Sequence, residues 1–340
     1  MRILFVLPGT GIAGGGLVVY EMINRLRKRG HDARLATFEY DPKPITWYPY
    51  EGPLEPFGAI KDMAAGSDII VATLFTTHFF IQNELITDAD KYYLIQARES
   101  WFFDENVPER DEWHDLVEKG YVKGNYKALT VSTWLTDFLK KEYDQDALQL
   151  KVGLNKEIFY PDPTFARNDG KVRILMETAG QYMPLRGIKE AQEALQGLEN
   201  IEVWTIAIDK EPVFTGDKFW YRPPQDTIRK IFSSCDILLK TSWYEGLGLG
   251  PMQAMRCGCA VLTTDNLGCR EYAVNGKNAL IVPPKDIKAI RSALKRLIKN
   301  PTLRRSLLKG GYETAKTFEW EPTIDKLEKE FINRRRKIYD

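Results

Sequence analysis

The sequence predicts an α/β protein of two Rossmann-like, doubly wound domains, and three observations carry that prediction. Short apolar runs alternate with amphipathic helical stretches from the first residue onward, the order expected of parallel strands joined by crossover helices. Glycine-rich turns stand directly after apolar runs, at Pro8–Gly16 and again at Glu245–Gly250. Between Gly153 and Gly170 the alternation lapses into Asn155, Pro161, Asp162, Pro163, Asn168 and Asp169, turn formers that cannot continue a sheet, so a linker there separates two copies of the pattern.

In the first copy, Ile3 to Leu7 reads as a buried strand, and Val19, Met22, Ile23 and Leu26 mark one face of a helix. That helix closes with Arg27, Lys28, Arg29 and Gly30, a cationic last turn with a glycine cap. Strands are expected at Ala33 to Phe38, Asp68 to Thr73, Tyr92 to Gln96 and Ala128 to Val131, with Ser132 placed to cap the helix carrying Trp134, Leu135, Phe138 and Leu139. The second copy offers strands at Val172 to Met176, Ile201 to Ile208, Ile237 to Lys240, Ala260 to Thr263 and Ala279 to Val282. Helices are expected at Ile188 to Leu198, Thr227 to Ser233, near Pro251, Ile287 to Lys299 and Leu303 to Lys316, and a charged final helix follows Trp320. Domains are therefore expected at 1–155 and 156–320, with a terminal helix at 321–340.

The 340 residues carry 48 Lys and Arg against 47 Asp and Glu, a net charge of +1, so no global field gathers nucleic acid and any anion site must be local. The four cysteines, Cys235, Cys257, Cys259 and Cys269, do not form paired zinc spacings and read as reduced, buried thiols. The apolar run at the N-terminus is too short for a secretory signal, and no window supplies the roughly 18 apolar residues of a spanning helix. A cytoplasmic protein is expected. Its basic helix end, Arg334 to Lys337, suits either solvent or peripheral contact with the inner face of an anionic membrane.

Two adjacent domains of this kind are expected to face each other across a cleft at the carboxyl ends of their strands, where ligands of such folds bind. Gly14, Gly15 and Gly16 open the first helix, where backbone amides and the helix dipole favour a phosphate. Gly9, Gly11 and Gly14 fit G-x-G-x-x-G. The acidic partner of a dinucleotide site would fall near Arg34, which disfavours an oxidoreductase; a plain structural turn is the other reading. In the second domain a strand ending at Lys240 leads into Thr241–Gly258, with Glu245, Gly246, Leu247, Gly248 and Leu249 before a helix start. A carboxylate beside an anion site is tolerated where it bonds neutral hydroxyls, as sugars provide. The turn after Thr263 adds Gly268 and Glu271.

With these residues the chain resembles the retaining family 4 glycosyltransferases of the GT-B fold, whose motif is Glu, seven residues, Glu. Glu245 holds the first position and Gln253 the second, an amide where the family has an acid. The resemblance implies donor sugar beside Glu245, ribose beside 253, a later loop at Gly268 and Glu271, and a terminal helix returning to the first domain. The family's diphosphate segment, Gly-Arg, five residues on to Lys, then Gly, maps onto Gly180–Gly187, with Gln181 in place of arginine, Arg186 in place of lysine, and Lys189 nearby. A nucleoside-diphosphate sugar would be substrate, with Glu245 and Arg186 as catalytic residues, retention at the anomeric carbon, and no metal or cofactor required.

For a glycan, lipid-linked or small acceptor, the candidates are Arg98, Glu99 and Trp101 in the tract Gln96–Asp104, and His78; a buried aromatic cluster is the competing reading of that tract. The tract is similar to a segment of rhamnosyltransferase-like members of the family. An epimerase or hydrolase on the same fold, or a non-catalytic nucleotide- or glycan-binding protein, are the alternatives.

Overall fold

In a computed structural model, residues 1–103, 107–165, 170–178, 184–208 and 210–339 are described, and the chain divides into two compact units, Met1–Gly153 with Trp320–Asp340, and Leu154–Glu319. The first unit runs β1 (Arg2–Leu7), α1 (Gly14–Lys28), β2 (Asp32–Thr37), β3 (Leu54–Glu55), α2 (Ile60–Ala65), β4 (Ile69–Ala72), α3 (Phe75–Glu84), β5 (Asp90–Ile95), α4 (Arg110–Lys119), β6 (Lys127–Thr130), α5 (Thr133–Tyr143) and β7 (Ala147–Gln149). The second runs β8 (Val172–Glu177), α6 (Ile188–Leu195), β9 (Ile201–Ala207), β10 (Lys218–Tyr221), α7 (Gln225–Ser234), β11 (Ile237–Lys240), α8 (Leu249–Arg256), β12 (Ala260–Thr264), β13 (Leu280–Val282), α9 (Ile287–Lys299) and α10 (Pro301–Ala315). The last helix, α11 (Glu321–Tyr339), belongs to the first unit.

Each unit holds one wholly parallel sheet, of strand order β3-β2-β1-β4-β5-β6-β7 in the first and β10-β9-β8-β11-β12-β13 in the second. Helices cover both faces of such a sheet, so its central strands are apolar throughout: Ile3 to Leu7 and Ile69 to Ala72 are all buried. Strand order reverses between β1 and β4, and again between β8 and β11. In open α/β sheets these reversals are where loops part and ligands enter. The register that pairs Leu239 with Met176 sets Lys240 and Glu177, the last residues of β11 and β8, side by side at the second reversal.

Helix α11 buries Ile324, Leu327 and Phe331, with the Phe331 ring 4.8 Å from that of Tyr92. Three such side chains contribute about 1.5–3 kcal/mol each on burial. Charge fixes both ends of the helix. Arg29 bonds Glu321, Asp325 and Glu328, while Arg334 reaches Asp90 at 2.8 Å and Arg335 reaches Asp68. Two of the basic residues expected to be available to a membrane thus have intramolecular carboxylates as partners. Among the described residues no helix is long and apolar enough to cross a membrane.

Two local expectations change. Ser132 takes the extended N-cap conformation before α5, yet its buried hydroxyl makes no capping bond. β3, β7 and β10, with two to four residues each, lie outside the predicted strands, as do helices α2, α3 and α4.

Candidate active site

The turn after β11 is held from three sides. Gly187, at φ +63°, packs so closely on the Thr241 carbonyl that no Cβ fits, and Thr241 Oγ1 donates to the Gly187 carbonyl at 2.7 Å. Trp243 N donates to the Leu185 carbonyl at 2.7 Å, which docks the short 3-10 turn Pro184–Arg186 against the loop. From the other side Glu245 N and Gly268 N both donate to the carbonyl of buried Asn266, at 2.9 and 2.8 Å. Thr264 Oγ1 donates to the Ser242 carbonyl. These bonds fix the direction of the Glu245 side chain before any ligand arrives.

Glu245 Oε1 accepts from Arg186 Nη1 at 2.9 Å and Ser242 Oγ at 2.8 Å, and lies 3.0 Å from Lys240 Nζ. Burial alone would raise this carboxyl, but Lys240 and Arg186 outweigh it and hold the pKa at about 2. Burial likewise opposes the Lys240 charge, and Glu245 and Glu177 overcome it, so the ammonium is held above its ordinary range. Lys240 Nζ is also 3.2 Å from Glu177 Oε2. The result is a chain of alternating charge, Glu177, Lys240, Glu245, Arg186. Its middle members are the most buried, with Lys240 and Glu245 side chains 11% and 14% exposed, whereas Glu177 and Arg186 at the two ends are 25% and 34% exposed. The ends are therefore the more accessible members of the chain. Arg186 Nε is buried without a hydrogen-bond partner among the described residues.

Helix α8 starts one residue past Gly248, which caps it at φ +82° and offers no side-chain cap. The Gly248 carbonyl accepts from Tyr272 OH at 3.1 Å. Gly246 and Leu247 are buried beneath the turn, and Leu249 begins the helix. Gln253 is 8% exposed on α8, Glu271 is half-buried at the end of the short turn Gly268–Glu271, and Lys189 is exposed on the first turn of α6. Gln181 lies outside the described residues.

Gly14, Gly15 and Gly16 open α1 in the first unit. Glu39, two residues past β2, accepts from Thr10 N at 3.3 Å and Thr10 Oγ1 at 2.9 Å and packs on Gly9, which ties the glycine-rich turn to the end of the neighbouring strand.

Of the acceptor candidates, Glu99 is 1% exposed and accepts from Phe75 N at 2.6 Å and Tyr93 OH at 2.7 Å, and burial pushes its carboxyl up to about 8 despite those bonds. His78 is buried, stacks on Tyr93 at 4.5 Å, and is held at about 4 by burial and Lys91. Both side chains are spent inside the fold. Arg98 pairs with Glu118 at 3.0 Å and covers the rings of Trp101 and Phe138, and Trp101 stacks on Trp134 at 5.7 Å. Trp101 and Phe103 thus pack on rings of other segments, Phe103 on Phe75 and Trp113, whereas Phe102 is exposed. All four cysteines are buried, and no disulfide joins them.

Glu245 and Arg186, both expected from the sequence, are brought together here, and Glu177 and Lys240, which were not expected, stand beside them. The signal for both was a charge on the last residue of an otherwise apolar strand, Arg173-Ile174-Leu175-Met176-Glu177 and Ile237-Leu238-Leu239-Lys240.

With a switch-point site and two parallel sheets, the class is a two-unit Rossmann-like α/β protein, and similarity refines this. The fold is GT-B. The chain superposes on sucrose-phosphate synthase from Thermosynechococcus elongatus with a TM-score of 0.81 over all of both chains at 16% identity. It superposes on WaaG, a glycosyltransferase involved in lipopolysaccharide biosynthesis, with a TM-score of 0.73 at 14% identity, covering 96% of this chain and 98% of that one. Anabaena HepE, solved in complex with UDP-glucose, gives 0.74 at 14% identity, covering 98% and 100%. Residues 218–314 match the family model Glycosyl transferases group 1, a stretch that includes Lys240, Glu245, Gln253 and Glu271. An uncharacterised glycosyltransferase of Methanocaldococcus jannaschii is 23% identical over 232 residues, 62% of this chain and 63% of that protein. A Campylobacter jejuni N-acetylgalactosaminyltransferase acting on a diphospho-undecaprenol acceptor is 24% identical over 186 residues, 49% of each. The matched region spans about half to two thirds of the length of these two relatives.

Proposed function

We propose that this protein is a glycosyltransferase that moves a sugar from a nucleoside-diphosphate donor to a hydroxyl acceptor with retention of anomeric configuration. The observation that carries the reading is the ionised Glu245 fixed at the carboxyl end of β11 beside a cation that can leave it, Arg186. A carboxylate next to a phosphate site is repelled unless neutral hydroxyls take its lone pairs, and a pyranose supplies them. Arg186 grips the diphosphate bidentately, and the open amides at the start of α8 share the charge. The bond between the anomeric carbon and the diphosphate oxygen breaks on the face at which the acceptor oxygen adds, and the acceptor proton passes to the departing phosphate oxygen. Arg186 and Lys240 bring the positive charge this step needs, so turnover is expected to persist in a chelator.

The family-model match over residues 218–314 supports the transferase class, and one relative named for transfer to a diphospho-undecaprenol acceptor supports a glycan or lipid-linked acceptor, reached by a protein acting in the cytoplasm or at its membrane face. The test is incubation with a panel of nucleotide sugars and polyprenyl or oligosaccharide acceptors in EDTA, with the anomeric configuration of the product read by NMR. Retained configuration in EDTA supports the reading. Inverted product, or turnover only with added metal, overturns the corresponding part of it.

A further inference from the structure

Glu177 is the one member of the charge chain that no step above uses, and its surroundings are those of a ligand group. It is the last residue of β8, beside the last residue of β11, at the point where the strand order of the second sheet reverses. Oε2 faces Lys240 Nζ at 3.2 Å, whereas Oε1 bonds no described residue, and the side chain is 25% exposed. Its carboxyl group lies flat against Gly250 in the first turn of α8: a Cβ there would stand 2.7 Å from the carboxyl carbon. An acid thus rests on the opening turn of a helix that carries a neutral amide, the buried Gln253, three residues along on the same face. The Lys240 ammonium aims this acid through one of its two oxygens.

Resting on the donor reading above, we propose that Glu177 binds a pair of neighbouring hydroxyls of the nucleoside-diphosphate donor, with Lys240 as its positioning residue and the bare Cα of Gly250 as the space that admits it. A carboxylate offers two acceptor oxygens at the spacing of a vicinal diol, and it remains favourable near phosphate only when it meets hydroxyl donors. The diol belongs either to the ribose or to the transferred sugar, and both present the same chemistry.

Two variants separate this role from that of a mere counter-ion to Lys240. Glu177→Gln removes the charge. Gly250→Ala retains it but pushes the carboxyl group off the helix, at little risk to the fold because the atom displaced is the end of a flexible side chain and alanine favours the helix. Affinities are measured calorimetrically on the full chain for UDP, GDP and ADP, for the 2′-deoxy form of whichever binds tightest, and for its glucose conjugate. If the diol is ribose, the native protein prefers the ribo- over the deoxynucleotide by about tenfold or more, the worth of a hydrogen bond to a charged group, and both variants lose the preference while binding the deoxynucleotide as before. If the diol is on the sugar, the variants lose only the extra affinity of the sugar conjugate. Unchanged ratios in both variants, or tighter nucleotide binding by Glu177→Gln, overturn the assignment of Glu177 alone. A native protein that binds no nucleoside diphosphate overturns the donor reading and this inference with it.

Discussion

Lys240 Nζ lies between two carboxylates, 3.0 Å from Glu245 Oε1 and 3.2 Å from Glu177 Oε2. The ammonium is what allows two acids to share the carboxyl end of one parallel sheet. Lys240→Met leaves the pair facing each other without it, and stability at pH 7 is expected to fall by on the order of 3 kcal/mol. The sign of the pH dependence follows from the depressed Glu245 pKa of about 2. A carboxyl depressed in the native state contributes stability above its unfolded value, and that contribution is lost as pH falls through the folded one. The gap between native protein and variant therefore narrows as pH falls below about 4.5 toward 2. Urea unfolding across that range checks this; a gap constant with pH would place the effect in packing.

Glu245→Gln is expected to lower sugar transfer by about a hundredfold or more while the protein stays folded. The amide is the suitable change. Glu245→Ala would remove the shared partner of Arg186, Lys240 and Ser242 and confuse lost chemistry with lost stability. Initial rates with far-ultraviolet circular dichroism on the same sample decide it.

Arg186→Ala should weaken nucleoside-diphosphate binding by about 1.5–3 kcal/mol, and Arg186→Lys should recover only part of it, because a point charge does not reproduce the bidentate grip. Titration calorimetry gives both numbers, and equal affinity for all three proteins would remove Arg186 from the site.

Glu99, with its pKa raised to about 8, makes a separate prediction for the first unit. Its ionisation is opposed by burial, so stability is fully present below the unfolded value and is lost as pH rises toward 8, at up to about 1.4 kcal/mol per pH unit. Glu99→Gln should therefore become progressively more stable relative to the native protein between pH 5 and 8. Melting temperatures across that range would show the crossing lines, and parallel ones would argue against a neutral native carboxyl.

How much of this was legible in the sequence follows from what each segment buries. Central strands such as Ile237–Lys240 were read with their observed bounds because a strand covered on both faces is apolar throughout. The edge strands β3 and β10 escaped because Leu54–Glu55 and Lys218–Tyr221 are short and only partly buried, so they carry no such run. Helix α3 escaped for a different reason: Phe75, Thr77, His78 and Ile81 are buried around its circumference, which erases the polar stripe that marks a helix. At the site, Glu245 was visible because it stood among glycines, whereas Glu177 and Lys240 were hidden as strand ends; only the pairing of β8 with β11 brings them together. His78 and Glu99 were plausible ligands by residue type, and burial assigns them to the core.

The proposed binding of a nucleoside-diphosphate sugar at the β8–β11 end of the second unit, through Arg186 and Glu245, underlies every other step. Thermal unfolding of the native protein and of Arg186→Ala against a panel of nucleotide sugars tests it most directly, since a ligand that binds only the folded state raises the melting temperature. At least one donor is expected to stabilise the native protein, and the shift is expected to be lost in Arg186→Ala. No shift with any donor, or the same shift in both proteins, would contradict it.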